Sequence, residues 1–222
     1  MGLLFDMDGV LINSNAAHLA SWQVISKEDG VEFSKELFWQ TFGMTSEYIV
    51  ERYWGRPMTQ SEIARVVERK ETAFRESILN SVTAIPGAVE FVVKTSQKGV
   101  KVALGSSAPR INVEYVVNWL GLKDVFGDAV VAGDEVERGK PAPDIFLAAA
   151  EKLNLPPQNC IVIDDSRSGV NAGKNAGMIA VGFFSEGHRS EEYERADLVV
   201  KNFDELEEAL RIDDQGTVSL KI

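Results

Sequence analysis

Short apolar segments alternate with amphipathic segments along most of the chain. Six runs rich in Val and Ile are bounded by Gly, Asp or Ser, and such runs are typical of strands buried on both faces of a parallel sheet. They are LLF (3–5), VKVALG (100–105), DAVVAG (128–133), CIVID (160–164), IAVGF (179–183) and DLVV (197–200). Helical patterns between them cover 87–98, 111–121, 143–154 and 169–177. The alternation predicts an α/β fold with a doubly wound, parallel, Rossmann-like sheet.

Residues 14–84 interrupt this alternation, because they carry helical patterns and no convincing strand. Ser34 and Thr59 are candidate helix N-caps, and Glu62, three residues after Thr59, completes the pattern of a capping box. We therefore predict an α-helical cap domain at 14–84, inserted into a core formed by 1–13 and 85–222. The final segment TVSLKI (217–222) alternates like an edge strand but is also compatible with a frayed terminus.

Composition and charge narrow the class of protein. The net charge of −11 and the lack of a basic stripe argue against a partner that presents a nucleic-acid backbone. No stretch approaches the roughly 18–20 apolar residues of a membrane span, and no signal peptide is evident. Cys160 is the single cysteine, which precludes an internal disulfide, and its apolar neighbours predict a buried structural thiol. We expect a soluble, cytoplasmic protein with no nucleic-acid or membrane partner.

Polar side chains follow the predicted strands at the point where each strand ends. In open α/β sheets the carboxyl ends of parallel strands meet at one edge, where ligands bind. Residues i and i+2 of an extended backbone point the same way, so two aspartates one residue apart can face one site. The residues expected at this edge are Asp6, Asp8, Ser106, Ser107, Asp164 and Asp165, together with Lys140 before a helix.

This set of groups favours phosphoryl chemistry. Several carboxylates in one cleft need a cation, and oxygen-only ligation favours Mg²⁺, a usual partner of phosphoryl groups. A carboxylate can attack phosphorus and form an aspartyl-phosphate, provided that positive charge offsets its repulsion from the phosphate. A second carboxylate can protonate the leaving oxygen and then deprotonate water, while a hydroxyl and backbone amides hold the remaining phosphate oxygens.

Four motifs in order resemble those of the haloacid dehalogenase superfamily. They are DMDGV (6–10), GSS (105–107), GKPAPD (139–144) and VIDDSRSGVNAGKNAGM (162–178). The inserted helical unit resembles the cap of the subgroup that contains β-phosphoglucomutase, phosphoglycolate phosphatase and sugar-phosphate phosphatases.

The resemblance implies a role for each catalytic residue. Asp6 would be the nucleophile and a Mg²⁺ ligand. Asp8 would be the general acid/base, and its backbone carbonyl would also bind the metal. Lys140 would neutralise charge between Asp6 and the phosphate.

The remaining roles concern the metal and the substrate. Asp165 would ligate Mg²⁺ directly, and Asp164 would either ligate it or orient a metal-bound water. Ser106 would bind the transferring phosphoryl group, with Ser107 beside it. Gly9 would permit the turn after the first motif and so shape the substrate site.

His18 is a further candidate substrate-binding residue, because it lies early in the first cap helix, where related proteins also carry histidine. It could assist a substrate hydroxyl, although the pattern of an amphipathic helix slightly favours packing. Trp22, Trp39 and Trp54 at helical positions predict cap core rather than a stacking site for substrate.

Several alternatives within the superfamily remain open. A dehalogenase has no need of Asp8, since no alkoxide leaving group requires a proton. Phosphonate hydrolysis would want a cap lysine, but Lys70 lies in the charged stretch ERKE (68–71), which predicts a solvated face. β-Phosphoglucomutases carry arginine where Ser46 stands here, which argues against a mutase unless Arg52, Arg56 or Lys70 substitutes. A non-enzymatic phosphate-binding regulator is the alternative from another class.

The sequence therefore predicts a Mg²⁺-dependent phosphatase that acts through an aspartyl-phosphate on a small organic phosphate monoester, either a sugar phosphate or a phosphoglycolate-like compound. Its partner would be a small phosphorylated metabolite, and it would be a monomer or weak homo-oligomer.

Overall fold

The structure, a computed structural model, describes residues 1–184, 190–213 and 216–221. The strands of this part are β1 (Gly2–Phe5), β2 (Ile12–Asn13), β3 (Thr83–Ala84), β4 (Lys101–Gly105), β5 (Val130–Val131), β6 (Cys160–Asp164), β7 (Ile179–Phe183), β8 (Leu198–Val200), β9 (Leu210–Ile212) and β10 (Val218–Leu220). Its helices are α1 (Asn15–Glu28), α2 (Lys35–Thr41), α3 (Ser46–Tyr53), α4 (Gln60–Ser81), α5 (Ala88–Gln97), α6 (Arg110–Trp119), α7 (Lys123–Phe126), α8 (Asp144–Lys152), α9 (Arg167–Asn175) and α10 (Phe203–Ala209).

A parallel sheet in the order β5-β4-β1-β6-β7-β8 forms the centre of the fold. Side chains alternate between its two buried faces: Leu3 and Phe5 of β1 join one apolar cluster, and Leu4 joins the other. Helices α5, α6 and α10 contribute to the first cluster, whereas α8 and α9 contribute to the second. The predicted α/β doubly wound fold is confirmed, and each of the predicted strand runs overlaps a strand of this sheet.

Helices α1 to α4, which lie between β2 and β3 in the sequence, pack around a separate apolar cluster. The predicted N-caps are confirmed, since the Ser34 hydroxyl accepts from the Leu37 N–H and Thr59 forms a capping box with Glu62. Trp22 and Trp54 are buried in this cluster, and the partly buried Trp39 packs against it, as predicted.

Two short pairings lie outside the central sheet. Strands β2 and β3 pair antiparallel, so the prediction that 14–84 holds no strand is wrong for Thr83–Ala84. Strand β10 pairs antiparallel with β9, which resolves the open question for the described part of TVSLKI in favour of a strand, although in a separate two-stranded sheet. Residues 214, 215 and 222 of the tail lie outside the described residues.

The order of the strands positions the site. Strand β1 lies between β4 and β6, and the chain crosses from β5 on one side to β6 on the other. The carboxyl ends of β1, β4 and β6 therefore flank the point where the strand order reverses, where open sheets bind ligands. None of the helices in the described residues has both the length and the apolar character needed to cross a bilayer.

Candidate active site

Asp6 and Asp8 lie where β1 leaves the sheet. The backbone N–H of Asp6 donates to the carbonyl of Ile163 at 2.9 Å, so β6 fixes this point of the chain. Gly9 turns the chain with a φ of +77°, and a Cβ at this position would lie 1.7 Å from Oδ2 of Asp165. The site therefore needs glycine here both for the backbone conformation and for the space that the carboxylate occupies.

Asp164 and Asp165 follow from the adjacent strand β6, and both side chains are fully buried. Ser166 caps α9 through the N–H of Gly169, and its own N–H and hydroxyl donate to Oδ1 of Asp164 at 2.9 and 2.8 Å. A Cβ on Gly169 would lie 1.8 Å from Oδ2 of Asp164, so the start of the helix leaves room for this carboxylate. These contacts hold Asp164 in one orientation.

Lys140 joins the carboxylates that end β1 and β6. Its buried ammonium donates to Oδ1 of Asp6 and to Oδ2 of Asp164, in each case at 2.8 Å. Burial raises the pKa of Asp6, and repulsion from Asp164, Asp165 and Asp8 raises it further. Attraction to Lys140 lowers it by less than this, so the pKa lies well above its ordinary value. Burial lowers the pKa of Lys140, but the two carboxylates raise it more, so it lies above its ordinary value and the side chain stays charged.

The residues present fit a hard divalent cation. One carboxylate oxygen from each of Asp6, Asp164 and Asp165 lies within 4.8 Å of the other two. The Lys140 ammonium pairs with two of these three buried carboxylates, so among the described residues this cluster has more carboxylates than ammonium groups. Oxygen donors with surplus negative charge suit Mg²⁺. The Asp8 carboxylate lies outside this group, and a role for its backbone carbonyl stays a prediction.

The Asp8 carboxylate is held by residues that follow β2. Its Oδ1 accepts the Ser14 hydroxyl at 2.5 Å and lies 3.0 Å from Nε2 of His18. The Lys70 ammonium lies 3.1 Å from Nδ1 of His18; because an ammonium can only donate, Nδ1 accepts and Nε2 carries the proton shared with Asp8. Burial raises the pKa of Asp8, but His18, Ser14 and Lys70 outweigh burial and bring it below its ordinary value.

The prediction that Lys70 lies on a solvated face is wrong. Its side chain is 3% exposed, and its ammonium lies 5.2 Å from the centre of the Trp22 ring and 5.3 Å from that of Phe74. Lys70 follows Val66 by four residues and precedes Phe74 by four, so helical periodicity puts it on the apolar side of α4. Arg52 and Arg56, the other candidate substitutes for the mutase arginine, are exposed.

Glu71 is a buried residue that the sequence analysis missed. Its Oε1 accepts the Lys70 ammonium at 2.9 Å and the Ser46 hydroxyl at 2.6 Å, and its Oε2 accepts the side-chain amide of Asn112 at 2.7 Å. Burial raises the pKa of Glu71, but Lys70, His18 and the Ser46 hydrogen bond together lower it by more. The pKa therefore lies below its ordinary value, and the carboxylate stays ionised. Asn112 lies on α6, so this bond joins the inserted helices to the core.

Ser106 and Ser107 follow β4, the strand that pairs with β1 on the side away from β6. Ser106 is fully buried, and its hydroxyl oxygen accepts the N–H of Ala108 at 3.1 Å. The Ser107 hydroxyl donates to the carbonyl of Gly43 at 2.8 Å and so anchors the loop between α2 and α3. Of the two hydroxyls, that of Ser107 is therefore committed to the cap.

A cavity of about 60 Å³ lies between these groups and the cap helices. Polar residues in its wall include Asp6, Asp8, His18, Lys70 and Glu71. This volume holds a few water molecules. Helices α1 to α4 form part of its wall, so their position sets the size of the ligand that fits.

Comparison with known proteins identifies the family. Residues 1–177 match the model of the haloacid dehalogenase-like hydrolases. The chain is 31% identical over 180 residues to fructose-1-phosphate phosphatase YqaB of Escherichia coli, covering 81% of this chain and 94% of that protein. It is 38% identical over 183 residues to the chloroplastic protein SUPPRESSOR OF QUENCHING 1 of Arabidopsis thaliana, covering 79% of this chain but only 17% of that protein.

A solved structure shares the fold. The crystal structure of β-phosphoglucomutase from Clostridium difficile superposes with a TM-score of 0.81 at 26% sequence identity, over 93% of this chain and 95% of that chain. The order of motifs, the fold and the match over most of the chain agree with the predicted superfamily. The chain belongs to the haloacid dehalogenase-like hydrolases.

Proposed function

We propose that this hydrolase is a Mg²⁺-dependent phosphatase that removes phosphate from a small organic monoester, a sugar phosphate or a phosphoglycolate-like compound. The observation that carries the proposal is the pairing of Lys140 with Asp6 and Asp164, in a buried acidic cluster two residues from the separately held Asp8. A relative that is named a fructose-1-phosphate phosphatase supports a small phosphorylated metabolite as the partner. Cytoplasmic location and a monomeric or weakly associated state stay predictions.

In the first step, a carboxylate oxygen of Asp6 attacks phosphorus, and the bond from phosphorus to the ester oxygen breaks. This forms an aspartyl-phosphate and an alkoxide that needs a proton. The Lys140 ammonium, fixed on Asp6, offsets the repulsion between carboxylate and phosphate, and Ser106 binds a phosphoryl oxygen. A Mg²⁺ ion bound by Asp6, Asp164 and Asp165 would supply further positive charge at the phosphoryl oxygens.

Asp8 transfers the protons of the two steps. It gives a proton to the departing oxygen and then takes one from the water that attacks the aspartyl-phosphate, which returns Asp6 and releases inorganic phosphate. The lowered pKa of Asp8 keeps this carboxyl ionised in the free protein. An incoming phosphate anion raises the proton affinity of a neighbouring carboxylate, and this favours the protonated form that the first task needs.

A sugar-phosphate mutase is the second candidate, because the structure resembles a β-phosphoglucomutase and Lys70 lies in the cavity wall. A mutase must return the phosphoryl group to sugar and hold a second phosphate meanwhile. Ser46 stands where those enzymes carry arginine, and its hydroxyl binds Glu71, a carboxylate. This pairing favours water as the acceptor.

The test is phosphate release from p-nitrophenyl phosphate with Mg²⁺ and with a chelator. We expect turnover only with Mg²⁺, and loss of more than nine-tenths of it in Asp6→Asn. Beryllium fluoride should form an adduct on Asp6, visible in a crystal structure. Turnover that survives in Asp6→Asn, or an adduct on another side chain, would contradict the mechanism. Isomerisation of a sugar phosphate that outpaces phosphate release would favour the mutase.

A further inference from the structure

The cavity wall away from the phosphoryl-transfer groups carries a carboxylate that is fixed in one orientation and paired with a single ammonium. Glu71 lines the same cavity as Asp6 and Asp8, yet nothing in the proposed transfer of phosphate uses it. Three donors on three different elements hold its carboxylate: Lys70 on α4, Ser46 on α3 and Asn112 on α6. A carboxylate held by three donors cannot turn away from an incoming group.

Among the described residues, the cavity wall carries no lysine or arginine besides Lys70. The Lys70 ammonium is already bound to Glu71 and to His18. The arginines of α4 and α6 that lie closest in sequence to these donors are engaged elsewhere: Arg69 donates to Glu28 and Asp29, Arg75 donates to Glu68, Thr72 and Asn112, and Arg110 donates to Glu135 and to the carbonyl of Val130. None of these three arginines lines the cavity.

A second anion on the substrate would therefore meet a buried carboxylate that water screens poorly. A hydroxyl group would meet compatible partners, because it can donate to a Glu71 oxygen and accept the third N–H of the Lys70 ammonium, the other two of which bind Glu71 and His18. The same wall thus binds alcohols, whereas a carboxylate or phosphate of similar size would face the Glu71 carboxylate and have to compete with it for the Lys70 ammonium.

We propose that Glu71 is a specificity-determining residue that admits monoesters with a neutral, hydroxylated leaving group and rejects those that carry a second anion. This inference rests on the proposed phosphatase activity. Of the two proposed substrate classes, it favours sugar phosphates over phosphoglycolate-like compounds.

Isosteric pairs of monoesters test the inference in the unaltered protein. 2-Hydroxyethyl phosphate and phosphoglycolate differ by a CH₂OH group against a carboxylate, as do glycerol 3-phosphate and 3-phosphoglycerate. We expect kcat/KM to favour the alcohol of each pair at least tenfold, which corresponds to about 1.4 kcal/mol. Equal values, or a preference for the carboxylates, would overturn the inference while p-nitrophenyl phosphate turnover still upheld the phosphatase. Lack of turnover of every ester, p-nitrophenyl phosphate included, would overturn both.

A charge-removing variant then assigns the preference to one side chain. In Glu71→Gln we expect the alcohol-to-carboxylate ratio to fall at least fivefold, chiefly through a lower KM for the carboxylate substrates. Glu68→Gln is the matched control, because Glu68 lies three residues earlier on α4 with a side chain that is 73% exposed. Its ratio should stay within twofold of that of the unaltered protein. An unchanged ratio in a folded Glu71→Gln protein would overturn the assignment, and should that variant not fold, the substrate pairs alone decide.

Discussion

Asp6→Asn should stabilise the metal-free protein while it abolishes turnover. Asp6 is buried among carboxylates, and its pKa is raised chiefly by that burial, so its charged form is disfavoured in the folded state. Asparagine has nearly the same shape and keeps an oxygen that can accept from Lys140, but it removes one negative charge. The substitution thus separates the catalytic need for this charge from its effect on stability.

The size of the effect follows from the distances. At 2.8 Å and an effective dielectric constant of about 20, the attraction between Lys140 and Asp6 is worth about 6 kcal/mol. Asp164 and Asp165 each offer an oxygen within 4.8 Å, so their two repulsions together oppose this by about 7 kcal/mol. Burial of the charged Asp6 side chain adds to this unfavourable energy. The hydrogen bond that asparagine keeps with Lys140 changes the balance little. We expect a gain of about 1–2 kcal/mol in the free energy of unfolding, or about 2–8 °C in Tm.

The pH dependence has a defined sign. A carboxyl group whose pKa is higher in the folded state binds more protons there, so its contribution to stability falls as pH rises from the unfolded-state pKa through the folded-state value. The gain in Asp6→Asn should therefore be larger at pH 8 than at pH 5. Urea unfolding in the presence of a chelator measures both values.

Magnesium provides the internal control. Binding of the ion to the native state stabilises a protein by about 2.7 kcal/mol at a concentration one hundred times Kd. The unaltered protein should gain more from Mg²⁺ than Asp6→Asn, which lacks one of the three carboxylates proposed to bind the ion. An Asp6→Asn protein that is no more stable than the unaltered one in chelator would refute the charge balance described above.

Three further predictions concern a proton, a helix end and a thiol. Asp8→Ala should lower the hydrolysis of alkyl phosphates about 10²–10⁴-fold but that of p-nitrophenyl phosphate much less, because nitrophenolate leaves without a proton; equal losses would count against Asp8 as the acid. Thr59→Ala removes the capping box at the start of α4 and should lower the free energy of unfolding in urea by about 1 kcal/mol; an unchanged value would show that this cap does not stabilise the protein. Burial raises the pKa of Cys160 to about 11, so a disulfide reagent at pH 8 should label it only as fast as the protein unfolds; rapid labelling of native protein would show that the thiol is accessible.

The carboxylates of the site could be predicted from the sequence because two local facts combine. Apolar runs identify β1 and β6, and a parallel sheet brings their carboxyl ends to one edge, so Asp6 and Asp164 must lie near each other. The ordered motifs added Lys140, whose side chain bonds both carboxylates across 134 and 24 residues of sequence. Strands β2 and β3 have two residues each, which is too short to leave an alternating pattern.

The cap side of the site was not predictable in the same way. Glu71 meets Asn112 across 41 residues and Lys70 meets His18 across 52, and no strand order fixes those contacts. The four letters ERKE indicate a charged helix face, whereas the burial of Lys70 and Glu71 depends on where α1, α3 and α6 pack against α4. Only the spacing of Lys70 from Val66 and Phe74 offered a sequence signal.

The contacts of the cap also connect substrate admission to proton transfer. A hydrogen-bonded chain runs from Asp8 through His18, Lys70 and Glu71 to Asn112. Its two ends belong to the core, after β1 and on α6, while the three middle residues belong to α1 and α4. A movement of α1 and α4 away from the core would have to break this chain, at its contact with Asp8 or at its contact with Asn112. Because His18 lowers the pKa of Asp8, loss of the first contact would raise the proton affinity of Asp8, so the position of these helices and the protonation of Asp8 are linked.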